Sequence, residues 1–130
     1  MPQNATDTVL GRIAAGNAKI LRLLFTDIRG HIRSVTVPAT GCNRAFSNGI
    51  RFEARSLGPD NSCKGSDMRL VADPATCQIW KAGPDAGIEA RCFCTVMDME
   101  GQPSRDDPRG ILGRALDDAR QEGYDLFTGP

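Results

Sequence analysis

With 130 residues the chain fits one domain of ordinary globular composition, 40% apolar and 25% charged. Its 16 basic residues balance 16 acidic ones, which argues against the basic surface of a nucleic-acid-binding domain. No apolar run approaches the ~20 residues that span a bilayer, the opening MPQNATDTVLGR lacks the layout of a signal peptide, and five cysteines, an odd number, suit a reducing compartment better than a disulfide framework. The expected setting is the cytoplasm, with no nucleic acid and no membrane as partner.

In chain order, Thr6 can cap a short helix, with Asp7 in its first turn and Val9, Leu10, Ile13 and Ala14 on one face. Gly16-Asn17 ends it. Leu21, Leu23 and Phe25 then alternate with Arg22, Leu24 and Thr26, the period of a strand. Asp27-Ile28-Arg29-Gly30 supplies turn chemistry, a β-branched return run follows over 32–37, and Pro38 closes it. Residues 21–39 therefore read as a β-hairpin.

Residues 41–49 fit a short helix or a loop, with Cys42, Ala45 and Phe46 on one side and Asn48-Gly49 as the stop. IRFEARS at 50–56 reads as extended or irregular, and LGPDNSCKGS at 57–66 as loop. A strand resumes over 68–71, Asp73-Pro74 turns the chain, and a short strand over 77–81 carries the only tryptophan, Trp80. In the strand over 91–97, Cys92, Cys94 and Val96 share one face and Phe93, Thr95 and Met97 the other, which predicts cover on both sides. Asp107 as cap and Pro108 at the first helical position start a last helix, with Ile111, Leu112, Ala115, Leu116 and Ala119 as its buried stripe and Gly123 as its stop. The order predicts an α+β fold, a β-grasp-like roll of about five strands with helices packed on one face.

The residues alone supply no self-sufficient active site. Cys92-x-Cys94 lies within a strand, whereas zinc sites favour two to four intervening residues on turns and a second pair; here Cys63, Cys77 or His31 would have to serve. Core packing is the expected use of these thiols. His31 has no nucleophile or carboxylate motif beside it and reads as a surface or edge-strand residue. Ser56, Ser62 and Ser66 lack the context of a nucleophile elbow, and the glycines match no phosphate-binding loop. Among Glu53, Asp60, Asp67 and Asp73, the third and first flank the long loop and are the site candidates; Asp73 before proline is a turn former and Asp60 a loop residue.

Four collinear stretches carry a resemblance: LFTDIRGHIRSVTVPA at 24–39, GIRFEARS at 49–56, SDMRLVADPAT at 66–76 and ARCFCTVMDMEGQPSRDDPRGIL at 90–112. Together they resemble the N-terminal β-grasp domain of glutamine synthetase and its γ-glutamyl-amine ligase relatives, over about 20–130. In that family ATP phosphorylates glutamate to a γ-glutamyl phosphate, which ammonia attacks. The resemblance implies that the metal-binding glutamates, nucleotide pocket and phosphate-handling arginines lie in a large C-terminal domain, which would begin near Gly129-Pro130. It also implies ATP and magnesium or manganese for the full-length family protein, with no cofactor in this domain.

In the family the small domain packs against a neighbouring subunit in a ring and lends it an aspartate that holds and deprotonates ammonium. That aspartate belongs to the motif F-D-G-S-S, matched here by Phe52-Glu53-Ala54-Arg55-Ser56. Glu53 is thus the expected catalytic carboxylate lent to the neighbour, Ser56 its support, and 57–66 the cover. Glu53 keeps the charge on a longer arm, Ala54 loses the freedom of glycine, and Arg55 places a cation where a small polar group belongs. These departures imply a relative that uses another amine or has lost activity. The expected partners are neighbouring subunits or the C-terminal catalytic domain, and the 130 residues alone are expected to be inactive. The rival expectation is a stand-alone β-grasp interaction or regulatory module; a third is a small redox or zinc protein using Cys92 and Cys94.

Overall fold

The computed structural model describes residues 3–53, 67–81 and 83–129. Among them lie α1 (Gln3–Ala15), β1 (Ile20–Thr26), β2 (Ile32–Pro38), α2 (Cys42–Ser47), β3 (Ile50–Glu53), β4 (Asp67–Ala72), β5 (Gln78–Lys81), β6 (Ile88–Met97) and α3 (Pro108–Gln121). Short 3₁₀ turns at Ala39–Gly41 and Pro74–Thr76 connect them. None of the described helices is long and apolar enough to cross a membrane.

The strands form one curled sheet in the order β2-β1-β6-β4-β3, with β5 also paired to β6. β6 is its spine. One edge of β6 runs parallel to β1, from Ile20 opposite Glu89 to Leu24 opposite Phe93. Its other edge is shared, β5 taking residues 88–91 and β4 residues 94–97, both antiparallel. The hairpin predicted at 21–39 is β1–β2, in register from Ile20–Pro38 to Thr26–Ile32. Asp27 and Gly30 close its turn, Gly30 at φ 84°.

Strict alternation along β1 and β6 produces the core. Leu21, Leu23 and Phe25 meet Ala90, Cys92, Cys94, Val96 and Leu70 on one face. Val9 and Ile13 of α1 and Cys42, Ala45 and Phe46 of α2 cover that face, so both amphipathic stripes read from the sequence are buried there.

The structure departs from expectation at three places. α1 begins at Gln3, and Thr6 lies inside it rather than at its cap. The face of β6 that carries Phe93, Thr95 and Met97 is only half covered. The stripe of α3 is not buried: Ile111 and Leu112 are 49% and 56% exposed, and no residue of the helix is buried. The cause is the way α3 is attached. Its first turn is held by Asp107, fully buried, which accepts hydrogen bonds from Val96 N (3.0 Å) and Arg109 N (3.2 Å). Burial pushes this carboxyl up, against the pull of those N–H groups. Beyond that turn no residue of the helix is buried, and the core face of the sheet is covered by α1 and α2.

Candidate functional site

β3 is an edge strand, and its register decides where Glu53 points. Phe52 turns inward and its ring meets that of Phe25, with centroids 5.0 Å apart and planes at 50°. Alternation then sends Arg51 and Glu53 to the opposite face, where both are exposed. Gly49 fixes the entry to this strand: at φ 78°, a Cβ there would lie 2.9 Å from a Val71 methyl and 3.0 Å from the Leu70 carbonyl.

Across the ladder Glu53 faces Asp67, and Arg51 faces Arg69. The sequence candidates Glu53 and Asp67 are therefore brought together at one end of the β3–β4 pair. Their electrostatics differ. Arg51 forms an ion pair with Asp67, whereas Glu53 makes no hydrogen bond or ion pair with any described residue. Arg69 is engaged elsewhere, donating to the carbonyl of Met99 (2.9 Å) and tying β4 to the turn after β6. The result is an outward carboxylate on a strand end, able to accept hydrogen bonds from an ammonium group or to hold a cation.

Ser56, Asp60, Ser62, Ser66 and the 57–66 stretch lie outside the described residues, as do Ala54, Arg55 and Cys63. Asp73 caps the turn at Pro74–Thr76, accepting from Ala75 N, and pairs with Arg109 at 2.6 Å, the turn role read from the sequence. His31 is exposed on the hairpin, 3.4 Å from Asp27. Cys42, Cys77, Cys92 and Cys94 are free and buried, as core packing predicts. Among the described residues no group of three or more His, Cys, Asp or Glu is placed to hold a metal ion.

Sequence reasoning missed a second feature on the outer face. Leu24, Thr76, Gln78, Trp80, Arg91 and Phe93 line an open groove of about 430 Å³. The Arg91 guanidinium lies 4.7 Å from the Trp80 ring centroid, and Arg109 lies 5.8 Å from that of Phe93. Arg91 and Arg22 both bond Glu89, and those two bonds hold its carboxyl below the usual range despite burial. The outward positions of β6, read as covered, were the available signal.

Known proteins match this geometry. A family model described as the β-grasp domain of glutamine synthetase matches residues 17–99. Glutamine synthetases of Halobacterium salinarum and Methanosarcina mazei are 39% and 34% identical over 124 residues, 94% and 95% of this chain but 27% and 28% of those proteins. The chain thus spans about a quarter of the length of these curated relatives. Among solved structures, a GmaS–ADP complex aligns with a TM-score of 0.76 at 23% identity, over 88% of this chain and 26% of that one. The Plasmodium falciparum glutamine synthetase aligns at 0.77 and 20% identity, over 91% of this chain and 23% of that one; at these identities the two show the fold alone. By its sequence and by the roll of strands around β6, the chain belongs to the glutamine synthetase β-grasp domain family.

Proposed function

We propose that this domain serves a glutamine-synthetase-type ligase, joining glutamate to ammonia or another amine at the expense of ATP, by completing the active site of a neighbouring subunit and helping to assemble the ring. Glu53 is the lent carboxylate, Ser56 its support and the 57–66 stretch the cover. The nucleotide and its magnesium or manganese belong to the neighbour. The domain by itself does not turn over ATP. The observation that carries this reading is the position of Glu53: exposed at the end of an edge strand, unpartnered among the described residues, with Asp67 opposite already neutralised by Arg51. A carboxylate facing outward whose acceptor capacity no described residue uses is suited to a group that another chain presents.

The test is a graft. The chain replaces the corresponding segment of the Halobacterium salinarum glutamine synthetase, its 39% identical relative, and amide formation is followed at saturating ATP and glutamate. Glu53→Gln in the graft should raise KM for the amine about tenfold or more, the loss of one charged hydrogen bond, and leave nucleotide binding unchanged. An assembled, active graft indifferent to Glu53→Gln would refute the role of this carboxylate. The second reading, an interaction module without chemistry, is favoured by Arg55 and Ala54 beside Glu53; a graft that assembles and binds ATP but forms no amide supports it.

A further inference from the structure

Among the described residues four buried thiols lie in the core, and they are not equivalent. β5 and β6 pair with Gln78 opposite Arg91 and Ile79 opposite Ala90. One residue before β5 the backbone is still extended, φ −73° and ψ 127° at Cys77. The register therefore sets Cys77 directly opposite Cys92, with both side chains on the core face. Residues so opposed hold their Cβ atoms about 4.5–5.5 Å apart, close to the separation of about 3.5–4.5 Å that a disulfide spans. Cys94 is directed at the Cys92 carbonyl, 3.9 Å away, and Cys42 lies on α2, outside the β5–β6 register.

The geometry points to a redox-active dithiol: Cys77 and Cys92 close to a cross-strand disulfide when a small-molecule disulfide reaches Cys77. Cys77 is the point of entry, 6% exposed where Cys92 is fully buried. The Cys92 S–H, helped by the charge of Arg12, holds the Cys77 thiol below its usual value against burial, while the same contact and burial push Cys92 up. The Cys77 thiolate attacks the small disulfide RSSR, forming a Cys77–SR bond and releasing RS⁻. The Cys92 sulfur, giving up its proton, then attacks the Cys77 sulfur and expels the second RS⁻. The two protein thiols lose two electrons, RSSR gains them, and the two thiol protons end on two RSH. Closure clamps β5, which carries Gln78 and Trp80 of the groove, onto β6.

The test exposes the native chain to oxidised glutathione over a range of ratios to the reduced form, then quenches with acid, alkylates and maps peptides by mass spectrometry. One reductant-sensitive cross-link joining the Cys77 and Cys92 peptides is expected, with Cys42 and Cys94 still open to alkylation after unfolding. A Cys63→Ser chain should give the same cross-link at the same ratio. The proposal falls if the cross-link uses Cys42, Cys63 or Cys94, if Cys77 stops at the glutathione adduct, or if both thiols remain reduced until the chain is denatured.

Discussion

Asp27 shows how one side chain sets a turn. It is 2% exposed, and its oxygens accept from Arg29 N (3.0 Å), His31 N (2.9 Å) and the Arg33 guanidinium (3.1 Å). Burial alone would raise its pKa, but the His31 N–H, the Arg33 side chain and the Arg29 N–H outweigh it and hold the carboxyl at about 2. Because the folded value lies below the unfolded one, near 4, the stabilisation is complete above that range and is lost as pH falls toward 2. Asp27→Asn should therefore lower the thermal midpoint at pH 7 and flatten its decline between about pH 4 and pH 2. Circular-dichroism melts across that window check this, and parallel declines for the two proteins would assign the acid sensitivity to other carboxylates.

At the scale of elements, α3 separates two things that a sequence pattern runs together. Asp107-Pro108 marks the helix start because a capping carboxylate and a fixed φ are local requirements. The apolar stripe reports only that one face prefers cover; it does not say what covers it, and Ile111 and Leu112 remain open. The buried anchor of the helix is thus its first turn. Asp107→Ala removes both the cap and the acceptor for Val96 N, and should cost about 2–3 kcal/mol in urea unfolding. Asp107→Asn, which keeps one acceptor oxygen, should cost less, and equal losses would show that the negative charge rather than the acceptor matters. The same contrast governs the rest of the chain. The β1–β2 hairpin was legible because alternation and turn chemistry agree over many residues. Glu53 was not, because IRFE is too short to fix a face. It was a candidate because it flanks the long loop and matches a family motif, but its direction came from Phe52 docking on Phe25.

For the whole molecule, the sheet has one face closed by α1 and α2 and one that is partly open, and the open one holds Trp80, 45% exposed under Arg91. Glu53 and the groove residues project from this same side, since both lie at the positions of their strands that alternate with the core. A domain that lends a carboxylate to a neighbour must seat the surface around that carboxylate, so the assembly proposed above places the groove in or beside the contact. Trp80 combines a large apolar area with a cation stacked on it, the kind of residue on which interface energy concentrates. In the grafted ligase, Trp80→Ala should weaken subunit association by about 2 kcal/mol, roughly thirtyfold. Because the side chain is half open, the isolated domain should keep most of its stability. Sedimentation of the graft and urea unfolding of the single domain separate the two effects. Loss of assembly with an intact fold locates the contact on this face, whereas unchanged assembly would move it to the exposed stripe of α3, where Ile111→Ser and Leu112→Ser become the decisive substitutions.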